Sequence, residues 1–360
     1  MKLDALARPR PRAHPAPPIL SWFEFAPSWL IYAPVVAQWI ALGLRYGDMS
    51  LPTAANPRIE TGGLAGESKS AILDQVAGAE RDLVAPYVVL ENRHSDAAAA
   101  MARGDLTFPV VAKPDIGCNG SGVRLIRDAH ALAQYLAQFP DGLRVVLQEF
   151  VPLEGEAGVF YVREPGVARG RITSITLKRA PVVTGDGRST LEALVRAHPR
   201  AGRVPHLYLP RLSARLAEVP AAGARVPLVF VGNHCRGSEF EDGRAHATEA
   251  LAARIDRFAR AMPDFHFGRI DLRFDSIALL RRGEGFRIIE VNGAGSEATH
   301  IWDPATRLVA AWRDQLHHYG LAWRIGAANR AAGHRPSGLV AMHRAWRLQR
   351  RVMRSHPQSD

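Results

Sequence analysis

The chain has 360 residues, 47% hydrophobic and 22% charged, a composition that excludes a wholly disordered or fibrous protein and supplies core for roughly two or three compact units. Its 46 basic against 35 acidic residues leave a net charge of +11. That favours anionic partners such as nucleotides, phosphates or acidic lipids, and nothing in it selects nucleic acid specifically. Cys118 and Cys235, far apart and without partner spacing, indicate neither a disulfide framework nor a zinc site, so a reducing compartment, the cytoplasm, is the simplest inference.

The first twenty residues set Lys2, Arg8, Arg10 and Arg12 among many prolines and should be disordered. In the N-terminal region that follows, 21–105, the run from Phe25 to Leu44 carries no charge and approaches the ~20 residues that cross a bilayer. Pro27, Pro34, Ser28 and Gln38 favour an interfacial or packed aromatic helix over a spanning one. Around GESKSAIL a loop feeds a short helix, and capping by Ser68 is preferred there to a binding role for Gly66 to Lys69. YVVLENRHSDAAAAMARGDL then reads as one strand and one helix.

Residues 108–151 follow as strand, loop, strand, helix, strand. FPVVAKPD and GVRLI flank IGCNGS, Asp128 caps a helix with Leu132, Tyr135, Leu136 and Phe139 on one face, and RVVLQEFV closes the unit. Asp186 in GDGRST shapes a turn, with Ser189 and Glu192 as a capping box for TLEALV. Leu251, Ile255, Phe258 and Met262 stripe a second amphipathic helix that Pro263 stops. GRIDLRFD and FRIIEVN are extended runs joined by the short, glycine-bearing RRGEG, so they should pair as a hairpin. In the basic tail, 321–360, Arg344, Arg347, Arg350, Arg351 and Arg354 read as the solvated face of a terminal helix, with contact to anionic lipid as the competing reading.

Chemistry concentrates at two places. In a strand alternate side chains share a face, so Glu290 and Asn292 point the same way, and strand pairing would bring Asp271 beside them. Such an oxygen-only cluster suits magnesium better than zinc. Upstream, Lys113 ends an apolar strand and precedes Gly117, Gly120 and Gly122, where glycine lets backbone N–H groups approach an anion. No GKS or GKT follows, so this is not the usual phosphate loop.

In the order Lys113, glycine loop, LQEFV, GRID and IIEVN, the chain resembles the carboxylate-amine ligases of the ATP-grasp superfamily over about residues 106–304. GRIDLRFD with IIEVNGAG looks like the corresponding pair in D-alanine–D-alanine ligases. LKRAPVVTGDGRSTLEALV and VPLVFVGNHCRGSEFED look like segments of cyanophycin synthetases. The resemblance implies an α/β (α+β) ATP-grasp fold, with a nucleotide-binding lid at 106–152 and a metal and substrate subdomain at 153–320 closing over ATP. The domain that usually precedes them is reduced or altered here.

By the same resemblance Asp271, Glu290 and Asn292 are the ligands of two magnesium ions. Arg269, Lys113 and Lys178 meet phosphate, and Arg179 competes with Lys178 because the register of that strand is open. Gln148, Phe150 and Val151 hold adenine, although Gln148 stands where relatives carry an acid. Glu156 binds ribose with Glu154 as fallback, Gly117, Gly120 and Gly122 cover the phosphates, and backbone amides near Gly295 cradle an oxyanion.

The implied reaction is ATP-dependent joining of a small-molecule carboxylate to an amine through an acyl phosphate, releasing ADP and phosphate. The competing readings are an ATP-grasp small-molecule kinase and a non-catalytic nucleotide-binding adaptor held at a membrane surface by Phe25 to Leu44 or the basic tail. Where D-alanine ligases show a serine-leucine pair after IIEVN, this chain has GAGSEATHIWDP, so Glu297, Thr299 and His300 imply a different pocket. Asn233, His234 and Arg236 are further candidates for substrate contact, and Cys118 reads as inert packing.

Overall fold

A largely apolar aromatic helix must bury a face, and α1 (Ser28–Tyr46) does so against the C-terminal part of the chain. The computed structural model describes residues 19–92, 95–357 and 359, so residues 1–18 of the tail expected to be disordered lie outside the described residues. Ile31 and Val35 of α1 are buried, and Trp39 meets Trp323 edge-on at 5.4 Å. The opposite side leaves Trp29, Val36, Ile40 and Leu44 exposed. Among the described residues no helix is long and apolar enough to cross a membrane.

After α1 the chain is tied to the core by Asn56, whose side-chain amide donates to Gly62 O and Phe267 O at 3.0 and 2.8 Å and accepts from the backbone N–H groups of His266 and Phe267. Both ends of a buried amide are thereby satisfied. The short α2 (Lys69–Leu73) begins at Ser68, whose hydroxyl accepts from Ala71 N, the cap expected from the sequence.

The first sheet holds β1 (Tyr87–Glu91), β2 (Val110–Pro114), β3 (Arg124–Ile126) and β4 (Arg144–Glu149) in the order β1-β4-β2-β3, antiparallel throughout. Helices α3 (Ala97–Arg103) and α4 (Ala129–Gln138) cover it, and Leu90, Met101, Val110, Leu132, Tyr135 and Leu147 share its core. This unit starts at Tyr87 rather than at residue 106, because YVVLE pairs with β4 in the register Tyr87↔Gln148.

The second sheet has the order β11-β10-β5-β6-β9, again antiparallel: β5 (Gly155–Val162), β6 (Arg171–Arg179), β9 (Glu239–Asp242), β10 (Phe267–Phe274) and β11 (Phe286–Asn292). Both faces of this sheet carry buried apolar side chains, and both are covered by helices. Val159, Ile175 and Leu272 pack under Leu251, Ile255 and Phe258 of α6 (Glu249–Arg260), while Phe160, Val162 and Phe267 pack under Leu321 and Ile325 of α8 (Leu308–Ala331). The structure thus has two α+β units facing one cleft, as the resemblance led one to expect.

Between β6 and β9 a small lobe is inserted, with β7 (Val182–Thr184), α5 (Leu191–Ala197) and β8 (Arg225–Pro227) around Val183, Leu191, Val195 and Tyr208. The expected capping box is corrected here. Thr190, not Ser189, caps α5 by accepting from Ala193 N, because Ser189 donates both its N–H and its hydroxyl to Asp186. Glu192 pairs instead with Arg196 one turn on.

Two more expectations change. β10 and β11 do pair, but α7 (Ile277–Arg281), capped by Ser276, lies between them, so the connection is longer than RRGEG. The boundary drawn at residue 321 falls inside a helix: α8 runs through residue 320 to Ala331, and α9 (Gly338–Arg354), the expected terminal helix, turns Ala345 and Val352 inward. The arginines of α9 face solvent, as predicted.

Candidate functional site

The β10–β11 pairing sets Asp271 opposite Glu290 and Arg269 opposite Asn292, so these side chains meet at the sheet edge facing the first unit. A register shift follows Asp271, leaving Ile289 outside the ladder. A bulge releases a backbone group from pairing. The freed carbonyl of Ile289 accepts from Lys113 Nζ at 2.9 Å, so a lysine from the first sheet is delivered to the acids of the second.

Asp271 is buried, with Oδ1 accepting from Lys178 Nζ at 2.9 Å and Arg269 Nε at 3.0 Å, and Oδ2 from Asn292 Nδ2 at 3.0 Å. Burial pushes its pKa up, but Arg269 and Lys178 outweigh that and hold it at about 2. Glu290 behaves alike: burial raises its pKa, Lys69 and Lys113 more than reverse the rise, and Lys69 Nζ lies 2.9 Å away. Lys113 is driven the other way, with burial lowering its pKa to about 8 despite the charge of Glu290. Its Nζ also donates to Gln148 Oε1 at 2.8 Å, a neutral partner that adds no compensating charge.

The register settles which side chain of β6 enters the cleft. Lys178 is inside, bonded to Asp271 and to Glu156 Oε1 at 3.2 Å, whereas Arg179 lies outside against Glu241 with 64% of its side chain exposed. Glu156, not Glu154, lines the cleft. The cavity, about 420 Å³, runs from Gln148, Phe150 and Val151 past these charges to Glu297 and Tyr319. At the first end Phe150 and Phe230 approach at 6.3 Å.

Other expected residues fall differently. Gly117 and Gly120 line the cavity, with Gly120 at φ +65°, but Gly122 lies behind it, its N–H donating to Ser359 Oγ at 3.0 Å. Gly295 lines the cavity, yet its N–H already donates to Gly63 O at 2.7 Å and the N–H of Ala294 to Gly62 O, so the expected oxyanion donors there are engaged. Thr299 reaches the cavity, whereas His300 is buried between Ser174 and Asp314 and does not. Asn233 and His234 line the wall, while Arg236 points to Asn119 O. Cys118 is not packed away as expected: it is exposed and lines the cavity, although partial burial raises its pKa.

The binding role for Gly66 to Lys69, ranked below capping in the sequence, gains weight here, because the loop before α2 and its first turn place Glu67 and Lys69 in the cleft. Lys69 bonds Gly117 O at 2.7 Å as well as Glu290, and burial lifts the Glu67 pKa to about 7 against the pull of Lys69. Capping by Ser68 holds as well, so the two readings of GESKS are compatible. The grip of α9 was missed. Gln349 accepts from Gly66 N at 2.6 Å and donates to Cys118 Sγ at 3.2 Å, so the terminal helix clasps both loops over the cavity. Gln349→Ala is expected to speed amide exchange at Gly66 by about tenfold, from loss of roughly 1.4 kcal/mol of hydrogen bonding, with unchanged exchange counting against the clasp.

Asp271, Glu290 and Asn292 offer hard oxygen donors on one strand pair, and the cations beside them show that these acids are held charged. Among the described residues no three His, Cys, Asp or Glu side chains form a metal-holding group. Two carboxylates and an amide fit a magnesium shell that phosphate oxygens and water complete.

No protein-family model and no curated protein matches the sequence. Solved structures do. The chain is similar to a bifunctional glutathione synthetase from Pasteurella multocida, at 20% identity and TM-score 0.33 over 65% of this chain and 34% of that one. It is similar to D-alanine–D-alanine ligase from Bacillus anthracis, at 12% identity and TM-score 0.41 over 76% of this chain and 69% of that one. It is also similar to the D-Ala:D-Ser ligase from Enterococcus faecalis, at 14% identity and TM-score 0.41 over 73% of this chain and 63% of that one. The chain spans about a third of the length of the glutathione synthetase. What the cleft does rests on its own residues.

Proposed function

We propose that the protein is an ATP-dependent ligase that joins a carboxylate to an amine through an acyl phosphate. The observation that supports this most is the meeting, in one cavity between two sheets, of Lys69, Lys113, Lys178 and Arg269 with Asp271, Glu290 and Asn292. Buried cations set beside buried acids serve a ligand that is itself highly charged and carries cations of its own. Adenine would lie by Gln148, Phe150 and Val151, ribose on Glu156, and the phosphates under Gly117 and Gly120. Asp271, Glu290 and Asn292 would hold magnesium, which when bound supplies charge neutralisation for phosphoryl transfer.

In the first step an oxygen of the substrate carboxylate bonds to the γ-phosphorus as the bond to ADP breaks. Lys113, Lys178 and Arg269 hold the transferring group and stabilise its charge. The amine then attacks the acyl carbon, phosphate departs, and the nitrogen loses its proton to give the amide. With Gly295 N–H engaged, Arg269 is the donor positioned for the developing oxyanion. No enzyme nucleophile is required.

Assay of ADP and phosphate across panels of carboxylates and amines tests this. Phosphate release that requires both substrates, with hydroxylamine trapping the activated carboxylate, is the expected result. A stable phosphorylated product would instead establish the kinase, and bound ATP without turnover would establish the adaptor.

A further inference from the structure

The cavity extends past Arg269 into a region that neither the phosphate site nor the adenine end explains, built around Glu297. Its carboxylate accepts from Tyr32 Oη at 2.6 Å, Gln315 Nε2 at 3.1 Å and Trp302 Nε1 at 3.4 Å. Every one of these donors is neutral. They come from α1, α8 and the turn after Glu297, so three parts of the chain converge to orient one acid through donors that carry no charge. A carboxylate offers about four acceptor positions, and these bonds leave one open.

No lysine or arginine side chain among the described residues pairs with Glu297. Arg269 bonds its backbone carbonyl, at 3.2 Å, and forms its ion pair with Asp271, while the charge of Glu297 acts on this guanidinium at longer range. Tyr32, Tyr319 and His234 complete the wall around the acid. His234 stacks on Trp302 at 4.3 Å, and burial drops its pKa to about 3, so it brings no competing positive charge. The charge of Glu297 is felt by Tyr32 and Tyr319, whose pKa values are raised chiefly by burial and further by this acid, and both hydroxyls stay protonated.

An oriented carboxylate that has no ion-pair partner among the described residues and is walled by aromatic side chains attracts an ammonium and repels an acid. We propose that this end of the cavity is a subsite for a cationic amino group, so that one of the two substrates is an amino acid or a diamine whose ammonium docks on Glu297. The proposal rests on the ligase reading for the word substrate, but the binding itself does not. Glu297 is one residue's reach from the phosphoryl end, since Arg269 joins its carbonyl to Asp271. This also gives α1 a purpose beyond packing: it carries Tyr32 to the site.

The test is calorimetric binding to the full chain without nucleotide, using glycine and 1,4-diaminobutane, each against its fully N-acetylated form. At least one free amine is expected to bind about tenfold or more tightly than its acetylated form, and Glu297→Gln should abolish that preference. Tyr32→Phe, which keeps the acid, should keep the preference and so separates charge recognition from general damage to the pocket. Equal binding of both forms, no binding of either amine, or a preference surviving in Glu297→Gln would overturn the subsite. If that happens while two-substrate phosphate release persists, the ligase reading stands alone. If amine preference is found without any phosphate release, the subsite stands and the ligase reading falls.

Discussion

Replacing Glu290 by alanine is expected to slow ADP release by about a thousandfold or more, the scale at which loss of a charge-organising group acts on phosphoryl transfer. The side chain does two things in the structure. It supplies one of the oxygens facing Asp271 across the strand pair, and it holds Lys69 at 2.9 Å. Alanine would free Lys69 from that acid and raise the positive charge of the pocket while removing a proposed magnesium donor. Nucleotide without metal would then bind, but in a site no longer arranged for transfer. Arg179→Ala is the matched comparison, since that side chain pairs with Glu241 at the surface; it should stay within about twofold of the parent rate. Equal loss in both variants, or near-normal turnover in Glu290→Ala, would contradict the assigned role.

The second large effect concerns stability. Glu24, just before α1, meets Arg200 of the inserted lobe in an ion pair whose side chains are 1% and 2% exposed. Arg200 also donates to Ile19 O at 3.2 Å and Ser238 O at 3.4 Å. Burial raises the Glu24 pKa, with Arg200 pulling the other way, so the acid depends on its partner to remain charged. Glu24→Ala would leave a guanidinium buried without its counter-charge, and a loss of about 3–5 kcal/mol in unfolding free energy is expected. Asp264→Ala breaks the pair with Arg58, whose side chain is 65% exposed, and should cost less than about 1 kcal/mol. Urea unfolding of the two variants checks the contrast, and equal losses would show that the buried pair contributes nothing beyond a surface one.

Strand periodicity made the acid cluster legible before any coordinates: Glu290 and Asn292 two apart, and Asp271 in an alternating run, allow few arrangements other than the one found. The same logic located the helices carrying Asp128 and the Leu251 stripe. What could not be read were features that depend on register and long-range packing. Choosing Lys178 over Arg179 required the pairing Glu156↔Lys178, and the carbonyl offered to Lys113 required a one-residue slip at Ile289. Gly295 illustrates the converse. Its sequence position suggested a free amide, but a loop more than two hundred residues earlier brings Gly63 O against it. The docking of α9 was hidden because its arginines dominate its composition, while Ala345, Gln349 and Val352 make the contact.

In the proposed reaction Asp271, Glu290 and Asn292 together hold divalent cations against the phosphates of ATP. Manganese stands in for magnesium and is visible by electron paramagnetic resonance, so titrating Mn²⁺ into the protein with and without ATP addresses the claim directly. The account predicts tight manganese binding that depends on ATP and is weakened about tenfold or more by Asn292→Ala and by Glu290→Ala alike. Manganese affinity that is indifferent to ATP, or unchanged in both variants, would contradict it.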